Sequence, residues 1–164
     1  MVDLTAAPPA ARFVAHVQDA SLAAMGAAFG CKLPAGLNRA EGSASGRAAL
    51  KLGPDEWLLL AVGDAPDALH AVCEPHAGSL VDVSDRQVGL TFTGARVETT
   101  LNAFVPLDLS LDVFPVGMAT RTIFEKAQIV LWRTAADRFH IEVWRSFAPY
   151  VESLLRLVIA EESA

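Results

Sequence analysis

The sequence predicts an α+β fold with mainly antiparallel sheets and packed helices, and three observations carry that expectation. Strand-like segments come in pairs separated by helical ones, without the one-strand, one-helix alternation of a doubly wound sheet. Ala48 to Leu52, the turn Gly53-Pro54-Asp55 and Trp57 to Val62 read as a hairpin. Near the end, Phe139, Ile141 and Val143 alternate with His140, Glu142 and Trp144, the pattern of a strand with one buried side.

Taken in order, Met1 to Ala11, with Pro8 and Pro9 among alanines, reads as a flexible leader, and residues 12–164 as a single α+β domain. Arg12 to Gln18 alternates as a strand. Asp19 to Gly30 is expected to be a helix capped by Asp19 and stopped by Gly30. Glycine, serine and proline mark Leu33 to Gly46 as a loop. After the hairpin, Asp64 and Pro66 open a short helix carrying Leu69 and Val72 and ending before Pro75.

Leu80 to Asp108 reads as two short strands and a helix. Leu80, Val81 and Val83 form the first, Asp85 and Arg86 the turn, and Val88, Leu90 and Phe92 the second. Val97, Leu101 and Phe104 then lie on one face of a helix beginning near Ala95. Pro115 and Gly117 break the following segment before strands near Ala119–Phe124, Ile129–Arg133 and Phe139–Val143. Ser146 is placed to cap a terminal helix, with Phe147, Val151, Leu154, Leu155 and Val158 along its apolar face and Pro149 in its first turn.

Composition narrows the function classes. Hydrophobic residues make up 52% of the 164 and charged ones 20%, the balance of a chain with a packed core. A net charge of −6 opposes nucleic-acid binding, and Arg121, Lys126, Arg133, Arg138 and Arg145 form no basic stripe, so they read as solvated strand ends and turns. No apolar run approaches the roughly 20 residues of a membrane-spanning helix. Without a basic, then apolar, N-terminal leader, and with Cys31 and Cys73 outside any metal-ligand spacing, a reducing cytoplasm is the expected compartment.

Chemistry-bearing constellations are sparse. His16, His70, His76 and His140 are scattered over different elements, so no metal site is expected, and His76 after Cys73 is read as coincidence. Ser84-Asp85-Arg86 and Ser146 suit turns and caps better than a catalytic triad. No phosphate-binding glycine loop occurs. Trp57 and Trp132 lie in apolar runs as core residues, whereas Trp144 is free to cover the terminal helix or meet a partner chain.

Five stretches carry a family resemblance: Leu52-Gly53-Pro54-Asp55-Glu56-Trp57-Leu58-Leu59, Val81-Asp82-Val83-Ser84-Asp85-Arg86, Leu107-Asp108-Leu109, Phe114-Pro115-Val116-Gly117 and Arg145-Ser146-Phe147-Ala148-Pro149-Tyr150. In order and spacing, from about Arg47 to Leu157, they resemble the gamma subunits of heterotetrameric sarcosine oxidases, a family similar to the folate-binding domain of aminomethyltransferases. The resemblance implies a structural subunit without catalytic residues of its own. It implies alpha, beta and delta partner subunits in a complex that oxidatively demethylates sarcosine to glycine, yielding hydrogen peroxide and methylene-tetrahydrofolate. FAD, FMN, NAD and tetrahydrofolate belong to that implied complex, with the flavins and folate on the larger chains.

Arg133-Thr134-Ala135-Ala136-Asp137-Arg138-Phe139-His140 departs from the Tyr-Thr-Gly-Glu type turn of aminomethyltransferases, having neither Gly nor Glu there. The Lys-Gly-Cys-Tyr type motif of folate-dependent iron-sulfur assembly proteins is also missing. A competing expectation is a stand-alone tetrahydrofolate-binding or one-carbon-transfer protein, with Asp82, Asp85 and Glu142 as the folate-cleft candidates. On its alternating strand Glu142 is equally a solvent-facing residue. For the subunit reading, the expected contact surface is Trp144, the N-terminal segment and the loop Leu33 to Gly46.

Overall fold

The computed structural model describes residues 2–63, 67–73 and 78–162. The expected cap Asp64, the prolines 66 and 75, and His76 lie outside them. The chain divides into two compact units, Pro8–Ser84 and Met1–Ala7 with Asp85–Ala164. Two apolar core clusters accompany this division.

The N-terminal segment corrects the leader expectation. Val2–Ala6 is a strand, β1, that alternates buried Val2 and Leu4 with exposed Asp3 and Thr5. Two apolar residues are too few to signal a strand by themselves. Pairing supplies the rest, since β1 runs antiparallel to β7 (Gln87–Gly94), from Val2 opposite Gly94 to Ala6 opposite Leu90.

The unit Pro8–Ser84 is built on β2 (Ala10–His16), β3 (Arg39–Gly42), β4 (Arg47–Lys51), β5 (Glu56–Val62) and β6 (Ser79–Asp82), ordered β3-β4-β5-β2-β6 with every neighbour antiparallel. The expected hairpin is β4–β5. Residues 33–46, expected as a loop, contain β3, whose polar sequence gives no alternation and which is held by pairing with β4. A single 3-10 turn at Asp19–Ser21 leads into α1 (Leu22–Phe29). There Gly30 ends the helix at φ 74°, a left-handed conformation natural to glycine, and donates to the Gly26 carbonyl at 2.8 Å. Met25 and Phe29 of α1, and Leu69 and Cys73 of α2 (Leu69–Cys73), enter the same core as Trp57, whose indole donates to the Pro34 carbonyl at 2.9 Å.

The second unit has the order β1-β7-β10-β9-β8, with β8 (Ala119–Phe124), β9 (Ala127–Ala135) and β10 (Arg138–Trp144). Its apolar face is covered by α3 (Val97–Asn102) and α4 (Ala148–Glu162), through Val97, Leu101, Val151 and Leu155. In α4 the first i to i−4 bond runs from Val151 N–H to the Phe147 carbonyl at 3.1 Å, so Phe147 holds the cap position expected for Ser146. The two strands expected around Asp85 do form, but they join different sheets: β6 pairs with β2 and β7 with β1 and β10.

Candidate functional site

On β10 the alternation is right and the expected exposure is not. His140 and Glu142 share the face opposite Phe139, Ile141 and Val143, and are only 4% and 1% exposed, so Glu142 is not solvent-facing. Glu142 Oε1 and His140 Nε2 are 2.8 Å apart, the geometry of a ring N–H donating to a carboxylate. Across the register Glu142 lies opposite Gly89 and His140 opposite Trp132. A Cβ at residue 89 would come within 2.9 Å of the Ala7 Cβ and of His140 Cε1, and 3.0 Å of Glu142 Oε1, so glycine leaves the space the pair occupies. Trp132 meets the His140 ring edge-on at 5.9 Å, and both Trp132 Nε1 and His140 Nδ1 are buried without a hydrogen-bond partner. Such orphaned atoms are uncommon in packed interiors.

The other two acidic candidates stand in different settings. Asp82 accepts from the Ser84 hydroxyl at 2.6 Å and the Ser84 N–H at 2.8 Å, which holds its carboxyl below the ordinary range. That Ser84 hydroxyl also accepts from Arg12 N–H at 2.9 Å, the turn role its sequence suggested. Asp85 is exposed, with Oδ1 3.6 Å from Arg145. Asp82 belongs to the unit Pro8–Ser84, whereas Asp85 and Glu142 belong to the other, where Glu142 faces His140 and Asp85 faces Arg145. No group of three or more His, Cys, Asp or Glu suited to a metal occurs among the described residues.

Two features were missed. The spacing of His140 and Glu142, i and i+2 on an otherwise apolar strand, was the available signal for the buried pair. Arg133 was read with the solvated cations, yet it is fully buried at the end of the core-facing row of β9. Arg133 lies opposite Phe139 in the regular β9–β10 register, just before a bulge shifts the pairing to Arg138 opposite Ala135, and its guanidinium sits 4.6 Å from the Phe139 ring centre. It donates to the carbonyls of Phe114 at 3.0 Å and Leu109 at 2.8 Å, and pairs with Glu98 at 2.8 Å. Among the expected contact residues, Trp144 is 42% exposed beneath the Arg86 guanidinium, while β1 belongs to the core.

Two antiparallel five-stranded sheets with few helices define a protein of the aminomethyltransferase fold. Glycine cleavage system aminomethyltransferase T from Bartonella henselae matches 94% of this chain and 45% of its own, with a TM-score of 0.60 and 12% identity, a likeness of fold alone. A chain of heterotetrameric sarcosine oxidase from Corynebacterium sp. U-96, solved in complex with pyrrole 2-carboxylate, matches far more closely. Its TM-score is 0.92 at 29% identity, over 99% of this chain and 86% of that one. Residues 14–161 match the model of the sarcosine oxidase, gamma subunit family, and the chain belongs to that family. It is 33% identical over 144 residues to sarcosine oxidase subunit gamma of Corynebacterium sp. (strain U-96), covering 87% of this chain and 70% of that protein. The subunit gamma of Arthrobacter sp. is 32% identical over 125 residues, with 75% and 62% covered. Among the described residues no helix is long and apolar enough to cross a membrane.

Proposed function

We propose that this chain is the gamma subunit of a heterotetrameric sarcosine oxidase in the cytoplasm, a structural component assembled with alpha, beta and delta subunits. The complex oxidises sarcosine with dioxygen, giving glycine and hydrogen peroxide and passing the methyl carbon to tetrahydrofolate. FAD, FMN, NAD and tetrahydrofolate belong to that complex, with the flavins and folate on the larger subunits. The observation that carries this reading is the match of 99% of the chain, at a TM-score of 0.92, to a chain of such an enzyme. The acidic candidates support it: Asp82 is engaged in a turn and Asp85 faces Arg145 at the surface. Gentle affinity purification of the tagged chain from its own host is the test. A yellow eluate with three partners of unequal size and sarcosine-dependent peroxide formation is expected; a colourless eluate of this chain alone would refute the reading.

One observation favours a second reading, a tetrahydrofolate-binding protein. The buried Glu142–His140 pair, with Trp132 Nε1 and His140 Nδ1 unpartnered beside it, is a set of polar groups able to meet a polar heterocycle. Trp132 is a built-in reporter, since it touches His140. Millimolar tetrahydrofolate that changes neither tryptophan fluorescence nor the melting temperature would remove this reading.

A further inference from the structure

The segment between α3 and β8 holds apolar side chains in solvent on a backbone that is fastened from inside. Leu107, Leu111, Val113 and Val116 are 36%, 47%, 54% and 51% exposed. Within the same segment Leu109 and Phe114 are fully or almost fully buried and act as its anchors. The buried Arg133 holds both anchor carbonyls, and Glu98 balances its charge. Further bonds stiffen the segment. Ser110 N–H donates to Asp108 Oδ1 at 2.9 Å, Phe114 N–H to the Ser110 carbonyl at 2.7 Å, and Gly117 N–H to the Arg133 carbonyl at 2.9 Å.

Burying a guanidinium is costly, and here its donors fix the backbone of a loop whose four exposed aliphatics gain little from the core. That arrangement is disadvantageous for a lone chain and useful for an interface, because a loop ordered in advance loses little entropy on binding. The charge of the segment defines what fits it. Leu107 to Val116 carries Asp108 and Asp112 and no cation, and the bond from Ser110 holds the Asp108 carboxyl below the ordinary range. The complement is an apolar surface rimmed by lysine or arginine.

We infer that residues 107–116 form a pre-ordered docking loop that seats on an apolar, basic-rimmed surface of another subunit of the heterotetramer. The inference rests on the gamma-subunit reading and adds to it the face by which the chain binds. Its contact set is the exposed pair Leu111 and Val113, its rim is Asp112, and Arg133 acts as a positioning residue beneath them.

The test is reconstitution of the tagged chain with the other three sarcosine oxidase subunits of its own genome. Wild-type chain that fails to assemble refutes the gamma-subunit reading itself and the inference with it. With wild type assembling, the double variant Leu111→Glu/Val113→Glu should bind the partners at least about tenfold more weakly, because charged groups replace apolar ones at a buried contact. Its isolated chain should keep the wild-type melting temperature, since both positions are exposed. Asp112→Lys, which brings the net charge of the segment to zero, should lower the association rate and weaken its salt dependence. Arg133→Met, which leaves the surface side chains in place, should raise amide exchange across 107–116 together with the dissociation constant. Unchanged assembly by the folded double variant would overturn the inference. So would a double variant that abolishes self-association of the isolated chain while still joining the complex, which would assign the loop to a second copy.

Discussion

Deleting Met1–Ala7 should destabilise this protein substantially, although composition alone marks that stretch as dispensable. Val2 and Leu4 are 4% and 5% exposed, within a core that also contains Leu90 and Phe92 of β7 and Val151 and Leu155 of α4. Burial of such side chains is worth about 1.5–3 kcal/mol each, so their removal costs about 3–6 kcal/mol before, and about 4 kcal/mol after, a discount for burial already present in the unfolded chain. Loss of β1 would also leave β7 as an open edge. Against a typical total of about 5–15 kcal/mol this is a large fraction. At about 2–4 °C per kcal/mol for a chain of this size, the melting temperature should fall by about 8–16 °C. Leu4→Ala alone should cost about 3 kcal/mol, whereas Asp3→Ala, on the exposed phase, should change stability by less than about 0.5 kcal/mol. Thermal and urea unfolding followed by far-UV circular dichroism measure all three. A deletion that melts within about 2 °C of the intact chain would refute the assignment of β1 to the core.

Two further outcomes follow from the site geometry. Gly89→Ala should destabilise by about 1–3 kcal/mol, because the new methyl overlaps Ala7, His140 and Glu142; a neutral result in urea unfolding would show that the pair can yield. The Asp82 carboxyl is held low by Ser84, so the stability it contributes is present above the ordinary aspartate pKa of about 3.9 and is lost as pH falls through its lower folded value. Asp82→Asn should therefore melt slightly below wild type near pH 5 and level with it near pH 2, both values being approximate. The gap should be small because the carboxylate is exposed, and a gap that widens on acidification would contradict the assigned cause.

The sequence by itself determined most element types, β1 and β3 apart. Period-two alternation marked β2 and β10, period-3.6 spacing marked α3 and α4, and glycine ended α1, because these signals depend on neighbours within a few residues. Its family motifs likewise pointed to the sarcosine oxidase gamma subunits, and the order of those motifs is a property of the chain alone. Only the tertiary structure decided what pairs with what. β1 is a strand because β7 lies beside it, β3 because β4 does, and the turn at Asp85 separates two cores instead of joining a hairpin. Burial was decided the same way. Glu142 and Arg133 read as surface residues because charge favours water, yet each is buried where a partner contributed by the fold, the His140 ring or the carbonyls of Leu109 and Phe114, satisfies the charged group.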